Sequence, residues 1–207
     1  MHKLFPLILI PVILYMVLVQ GCVPGFGLKS KAEQVPEKSL EMLPELPGIN
    51  RDLIEYASEY GDSIAPTYET AVCTQYLISV LEHFIKLTPK EKRAISITDH
   101  DTLELAIRAD ASHIRGIQTA LAESKKGQPV ENPNDVLPGD LVQFWNTWWG
   151  VPKGHCGIVL DLQPGRYITL ISSSARTDGH GVQTYYWPEK AYFARLWPGK
   201  AKSGQKK

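Results

Sequence analysis

Four segments in the first part of the chain place apolar residues three and four positions apart, which is the spacing of an amphipathic helix. In the second segment this stripe begins at Val72 and Cys73. Gly61 is expected to end the first helix, and Pro89 to open a turn after the second. The predicted helices are 51–60, 69–87, 101–109 and 112–124.

After residue 138 the period of the pattern changes to two, which is typical of β-strands. The predicted strands are 139–145, 154–162, 166–173 and 192–197. Pro164-Gly165 is expected to form the turn between the second and third strands. The segment 128–138 contains three prolines and is predicted to be a loop. Because helices come first and strands second, the sequence favours an α+β fold with N-terminal helices packed on one antiparallel sheet.

The N-terminus has the pattern of an export signal. A short polar start with Lys3 is followed by the apolar segment 4–19 and then by Gly21-Cys22. The apolar segment is shorter than the roughly 20 residues that a transmembrane helix needs, and prolines interrupt it. The pattern therefore predicts a secretory signal. An uncleaved N-terminal anchor is the alternative interpretation.

The residues at the end of this signal, Val19-Gln20-Gly21-Cys22, resemble the lipobox of bacterial lipoproteins. Gln20 departs from the small or apolar residue that is usual at its position. The resemblance implies a signal peptide over 1–21 and lipidation of Cys22, and hence an exported protein anchored to a membrane. If the source has two membranes, Val23 is compatible with the outer one.

Two further segments are expected to lie outside the folded domain. Residues 22–48, which begin with the lipidated cysteine, contain several prolines and are predicted to form a flexible tether. Hydrophobic residues near its end, such as Leu46, are available to dock on the domain. The domain itself is expected to span 49–198, followed by a loose basic tail over 199–207.

Charge and composition exclude several classes of function. The chain has 22 basic and 22 acidic residues, so no excess of positive charge is available to bind nucleic acid. A hydrophobic content of 43% excludes a largely disordered chain. The six histidines are scattered without a zinc-binding spacing, and there is no glycine-rich phosphate loop. We therefore expect no metal ion and no other cofactor.

Cys73 and His155 are the candidates for reactive chemistry. A thiol at a helix start meets the positive end of the helix dipole, although position alone favours a small core residue. Alternation in the strand 154–162 puts His155 on one face and Cys156 on the other. If His155 faces Cys73, Cys156 is expected in the opposite layer, too far away for a disulfide. A catalytic Cys73–His155 pair and a Cys73–Cys156 disulfide, which export favours, are therefore competing interpretations.

Three motifs, in this order, resemble those of the NlpC-type cysteine peptidases and the related CHAP amidases. They are Ala71-Val72-Cys73-Thr74-Gln75 at a helix start, Pro138-Gly139-Asp140 before a strand, and His155-Cys156-Gly157-Ile158 in the next strand. The resemblance covers roughly residues 67–197. It implies a papain-like fold with Cys73 as nucleophile and His155 as base. These families often have Cys-Ser-Gly after an aspartate, a pattern that this chain lacks.

The third catalytic residue of these families is usually a polar residue on the following strand. Ser172 is the best match there, and His180, in a glycine-rich segment, is the alternative. Trp148 and Trp149 lie between the two motif strands and are candidates for the wall of a substrate groove. Three later aromatic residues are expected to be structural: Tyr185, Tyr186 and Trp187.

The resemblance implies a thiol hydrolase that cleaves amide bonds in peptidoglycan stem peptides through an acyl-enzyme. Its partners would be peptidoglycan or its peptide fragments and, through the lipid, the membrane. Three alternatives stay open. The same pair of residues could act on other amides or on esters. The chain could be an inactive lipoprotein that binds wall fragments or scaffolds a partner, or a structural domain with a Cys73–Cys156 disulfide.

Overall fold

The computed structural model describes residues 41–97, 102–148 and 151–198. Within these ranges five α-helices precede six β-strands, which confirms the predicted α+β class. The helices are α1 (Gly48–Ile64), α2 (Cys73–Phe84), α3 (Pro89–Ser96), α4 (Leu103–Arg108) and α5 (Ile117–Glu123). The strands are β1 (Gly127–Val130), β2 (Leu141–Trp148), β3 (Val151–Gln163), β4 (Tyr167–Ser174), β5 (Gly179–Tyr186) and β6 (Lys190–Leu196).

The six strands form one antiparallel sheet in the order β1-β6-β2-β3-β4-β5. Helices α1 and α2 pack on one face, where a continuous apolar core contains Leu53, Tyr76 and Leu77 from the helices and Cys156 and Ile158 from β3. A smaller core lies on the other face. Its buried residues are Val130, Val142, Phe144, Val159, Ile168, Leu170 and Phe193. Both faces of the sheet therefore carry buried apolar side chains.

Helix α3 and strand β1 occupy segments that were predicted to be a turn and a loop. Pro89 is the first residue of α3, where a missing N–H costs nothing, and the Thr88 side chain accepts a hydrogen bond from the Glu91 N–H. Thr88-Pro89 is therefore a helix start. Strand β1 contains Pro129, which is tolerated because β1 is an edge strand. In both places a proline, which predicts a break in regular structure, lies within a helix or strand instead.

Helix α1 continues through Gly61, which was predicted to end it. Gly61 is needed for close packing, because a Cβ atom there would lie 2.2 Å from Nδ1 of His180 on β5. The imidazole of His180 therefore sits directly against the backbone of α1. The strand that carries it, β5, was predicted to be a glycine-rich loop.

The Pro138-Gly139-Asp140 motif fixes the start of β2 to the rest of the domain. Asp140 is fully buried, and its carboxylate accepts hydrogen bonds from Arg195 on β6 (2.8 and 2.7 Å) and from the Asn50 amide of α1 (2.9 Å). Gly139 has a φ of 85° and lies against the Asn50 carbonyl, a position that a side chain would block. The motif thus connects α1, β2 and β6.

The last residues of the predicted tether belong to the packed chain. A short 3-10 turn covers Leu43–Glu45, and Leu46 is buried in the core beneath α1. The predicted signal peptide, Cys22 and the tail over 199–207 lie outside the described residues. Among the helices of residues 41–97, 102–148 and 151–198, none has the length and apolar character needed to span a bilayer.

Candidate active site

Cys73 is the first residue of α2, and the chain leading into it is fixed on both sides. The Val72 N–H donates to the Gln75 side chain (3.1 Å), which closes the first turn of the helix. The Ser173 hydroxyl on β4 donates to the Ala71 carbonyl oxygen (2.5 Å). The nucleophile candidate is therefore held between a helix start and the sheet. Its relative exposure of 9% leaves it a narrow access to solvent.

Two side chains of β3 interact with the Cys73 thiol. The hydrogen bond from the Cys156 thiol is the largest cause that lowers the Cys73 pKa, and a hydrogen bond to His155 and its charge add to the effect. Burial acts in the opposite direction but is outweighed, so the net pKa lies well below that of a free thiol. The position at the start of α2 favours the same anion. Cys73 therefore combines the features that make a cysteine nucleophilic at neutral pH.

Cys156 has the opposite property. Its hydrogen bond to Cys73, its complete burial and the neighbouring negative charge all raise its pKa well above the usual value. Cys156 thus keeps its proton and donates it toward the Cys73 sulfur. Both cysteines are free thiols in this structure. One sulfur of the pair is poised as the anion and the other as its hydrogen-bond donor.

The expectation that Cys156 lies in the layer opposite Cys73 is wrong. Cys156 points into the helix-facing core together with Ile158, as strand alternation requires. The ring of His155 contacts Phe144 and Tyr185 on the other side of the sheet, yet it also reaches Cys73. Cys73 therefore has both His155 and Cys156 as neighbours, and the disulfide of the alternative interpretation is not formed in this structure.

The imidazole of His155 is held by a chain of polar side chains on β5. Its Nε2 lies 3.0 Å from the hydroxyl oxygen of Tyr185. That hydroxyl donates to the Oε1 of Gln183, two residues earlier on the same face of the strand (2.5 Å). The Nε2 of Gln183 donates in turn to the hydroxyl of Ser174 and to that of Thr177 (3.2 Å for Thr177).

The direction of these hydrogen bonds assigns the proton on His155. The Gln183 amide nitrogen faces two hydroxyl oxygens, so its carbonyl oxygen must be the acceptor for Tyr185. A phenol has one proton, and Tyr185 gives it to Gln183. Its oxygen is then the acceptor for an Nε2–H of His155. Nδ1 remains as the basic nitrogen available to the Cys73 thiol.

Burial of the Tyr185 phenol is the main cause that raises its pKa, and the charge of Cys73 acts in the same direction. The Tyr185 hydroxyl therefore stays protonated. It accepts a hydrogen bond from His155 and donates one to Gln183. The Tyr68 phenol also lies beside the site, since burial, Cys73 and Cys156 raise its pKa in that order. Both tyrosines are half-buried. Neither was predicted to belong to the site, and Tyr185 was expected to be structural.

The structure gives Ser172 a contact that differs from the predicted one. Its hydroxyl donates to the backbone carbonyl of Cys156 (2.6 Å), and the hydrogen bond to the imidazole Nε2 is made by Tyr185 instead. Ser172 is buried and joins β4 to β3. Its side chain thus positions the strand that carries His155, without touching the ring through this bond.

His180, the alternative third residue, lies away from His155. It stacks on Tyr76 of α2, and its Nδ1 is 3.0 Å from the Tyr76 hydroxyl oxygen. Burial lowers the pKa of His180, so the neutral imidazole is favoured in this packing position. Its contacts with Tyr76 and Gly61 fasten β5 to α1 and α2. The structure does not bring His180 together with His155.

Of the remaining predicted site residues, only Trp148 lies in the part of the chain that the structure describes. Trp148 is the last residue of β2, and Trp149 and Cys22 lie outside the described residues.

An open groove lies next to Tyr185. It is lined by Arg166, Tyr167, Arg176, Thr184, Tyr185 and Tyr186. Two guanidinium groups, those of Arg166 and Arg176, therefore lie along this groove.

Within the described ranges, no group of three or more His, Cys, Asp and Glu side chains is placed to hold a metal ion. Comparison with known proteins finds no family model, no curated protein and no solved structure that matches this chain. The candidate site is accordingly interpreted from its own geometry: a thiol at a helix start, an imidazole on the sheet and a phenol–amide chain behind it.

Proposed function

We propose that the protein is a cysteine hydrolase in which Cys73 is the nucleophile and His155 the general base and acid. The observation that carries this proposal is the contact of the Cys73 thiol with His155, whose second nitrogen is held by Tyr185. Nucleophile, base and positioning group in a row are the usual signature of covalent catalysis. Tyr185 takes the positioning role that the sequence assigned to Ser172.

The reaction would begin from the Cys73 thiolate, whose proton has passed to Nδ1 of His155, and the thiolate would attack an amide carbonyl carbon. The negative oxygen that forms needs hydrogen-bond donors, and the first N–H groups of α2 have no partner within the helix. His155 then donates its proton to the leaving amine, which departs and leaves an acyl-enzyme. It next activates a water molecule, which attacks the thioester and regenerates the thiol.

We infer from this arrangement a papain-like hydrolase. A helix that begins with the nucleophile lies against an antiparallel sheet, and the base comes from a strand that this helix contacts. Together with the resemblance of the three motifs to the NlpC-type and CHAP families, this favours a wall peptide as substrate. Anchoring through Cys22 would place the domain within reach of the cell wall.

The groove beside Tyr185 supports the same class of substrate. Arg166 and Arg176 line it, and guanidinium groups suit carboxylates because they donate two parallel hydrogen bonds. The stem peptides of peptidoglycan carry free carboxylates close to their amide bonds. An anionic peptide is therefore a better match to this surface than a neutral amide or an ester.

The test is digestion of purified peptidoglycan with the full chain in detergent, followed by mass spectrometry of the released fragments. We expect the wild type to release peptides, and Cys73→Ala and His155→Ala to release none. Release that persists in Cys73→Ala would overturn the proposal. If the wild type releases nothing but sediments with the wall material, the protein is a binding module rather than an enzyme.

A second panel separates the wall substrate from other acyl substrates. Isolated stem peptides, unrelated peptides of equal length and a series of simple esters would be offered at equal concentration. We expect turnover of the stem peptides only. Preferential turnover of the unrelated peptides or of the esters would support a thiol hydrolase but would contradict peptidoglycan as its substrate.

A further inference from the structure

We infer that Cys73 and Cys156 form a dithiol site for hydroperoxides, which converts reversibly to a disulfide and so closes the nucleophile. The two free thiols lie in one core where α2 packs on β3, and each is a cause of the other's shifted pKa. Hydrolysis needs only one of them as a nucleophile. The second thiol therefore has no covalent role in the proposed hydrolysis.

The exposure of the two sulfurs divides the chemistry between them. Cys73 is 9% exposed and borders solvent, whereas Cys156 is completely buried. A small oxidant can therefore meet Cys73 but cannot reach Cys156 from outside. Cys156 in turn can meet an oxidised Cys73 without leaving the core. This is the division of labour between an attacked thiol and a resolving thiol.

The reaction balances with a hydroperoxide as the only co-reactant. The Cys73 thiolate attacks the outer oxygen of ROOH, which breaks the O–O bond, gives a sulfenic acid and releases ROH after protonation. The Cys156 thiol then attacks the Cys73 sulfur, and its proton leaves with the hydroxyl group as water. The peroxide is reduced by two electrons, and the two thiols are oxidised to one disulfide. Two equivalents of a small thiol reduce this disulfide back to the two thiols.

The two cysteines are placed on the same side of the sheet. Cys73 begins a helix and Cys156 lies in the middle of a paired strand, and both side chains point into the same core. Disulfide formation requires the two sulfurs to come within about 2.05 Å of each other. A nucleophile in this bond can attack no carbonyl group. The disulfide would also protect Cys73 from irreversible oxidation to the sulfinic acid.

The test treats the reduced full chain with hydrogen peroxide and maps its cysteine peptides by mass spectrometry, so that Cys22 does not interfere. In the wild type we expect a Cys73–Cys156 cross-linked peptide, loss of nearly all alkylation at both residues, and full recovery with dithiothreitol. In Cys156→Ala we expect Cys73 to gain oxygen atoms and to recover only a small fraction of its alkylation. Cys156→Ser is a second variant of similar size, in case the alanine variant folds poorly.

A wild type in which Cys156 stays alkylatable while Cys73 gains oxygen would overturn the dithiol assignment, as would identical recovery in the wild type and in Cys156→Ala. Closure of the hydrolase rests on the proposed function, but the thiol mapping does not. Absence of peptidoglycan cleavage with a cross-link present would refute the hydrolase alone. Cleavage that survives peroxide undiminished would refute the closure alone.

Discussion

Tyr185 and His155 lie on strands that do not pair with each other, yet the phenolic oxygen of Tyr185 is 3.0 Å from Nε2 of His155. Strand β4 lies between them. The two side chains meet over its outer face, where the rings are also in contact. Together with the hydrogen bond that Tyr185 donates to Gln183, this contact assigns the proton on the imidazole to Nε2 and leaves Nδ1 for Cys73.

Tyr185→Phe is expected to reduce turnover about tenfold, because the loss of one hydrogen bond of roughly 1.4 kcal/mol leaves the imidazole free to rotate. Turnover of released peptides and the pH profile of Cys73 alkylation would be measured together. A positioning role changes the pH profile, whereas a structural role alone does not. Tyr186→Phe is the matched control, because Tyr186 is the next residue on β5 and is 92% exposed. Equal rates in both variants would remove Tyr185 from the site.

Alkylation of Cys73 should stay fast well below the pH at which an ordinary thiol loses reactivity, about 8.5. A lowered pKa means that the thiolate is present above that lower value and is protonated only as the pH falls through it. The rate of iodoacetamide labelling against pH gives the midpoint. We expect the midpoint to rise in Cys156→Ala, which removes the largest cause of the shift, and also in His155→Ala. A midpoint near 8.5 in the folded wild type would contradict the proposed activation.

Ser172→Ala is expected to lower the free energy of unfolding by about 1 kcal/mol, because it removes the hydrogen bond to the Cys156 carbonyl. Urea denaturation followed by tryptophan fluorescence measures this loss. Turnover should fall less in Ser172→Ala than in Tyr185→Phe, since Ser172 acts on the strand and Tyr185 acts on the ring. The reverse order would return the orienting role to Ser172.

Asp140→Ala is expected to lower the free energy of unfolding by about 3 kcal/mol, because the guanidinium of Arg195 loses its buried partner. Chemical denaturation would be compared with that of Asp135→Ala. Asp135 is an exposed carboxylate near the same arginine, and it contacts Arg195 through its backbone carbonyl, which the substitution keeps. An equal loss of unfolding free energy in both variants would show that the buried pair of Asp140 and Arg195 contributes no more to stability than the exposed Asp135 side chain.

Gly61→Ala should destabilise the protein even though alanine favours helix by about 1 kcal/mol. The new methyl group would overlap the ring of His180, and overpacking of this kind costs about 1–3 kcal/mol. The thermal midpoint of the single variant should therefore fall. In a His180→Ala background the same substitution should have no cost, or should stabilise. A cost that persists without the ring would trace the effect to some other contact.

Much of the fold follows from local patterns in the sequence. The hairpin at Pro164-Gly165 and the strand after Asp140 are present as predicted, and the helix predicted over 69–87 is present with shorter bounds, Cys73–Phe84. In each case the pattern is set by neighbouring residues, through apolar periodicity or turn chemistry. The α+β class follows from the order of these elements. The sequence therefore predicts that helices pack on a sheet, but it does not predict which side chains of the two layers contact each other.

The parts of the site that were missed depend on contacts between distant segments. Strand β5 begins with glycines that are required by close approach to Ala65 and Thr177, which no local pattern indicates. Without that strand, the spacing of Gln183 and Tyr185 on one face could not be recognised. Alternation placed Cys156 and His155 on opposite faces correctly, but it does not show how far an imidazole extends. For this reason the sequence did not predict that Cys73 interacts with both His155 and Cys156.

The two halves of the candidate site belong to segments far apart in the chain, and Cys73 acquires its low pKa only when β3 is packed against α2. Before these segments pack together, the chain therefore carries thiols with ordinary pKa values. If the proposed function holds, hydrolysis would depend on the completed contact between β3 and α2.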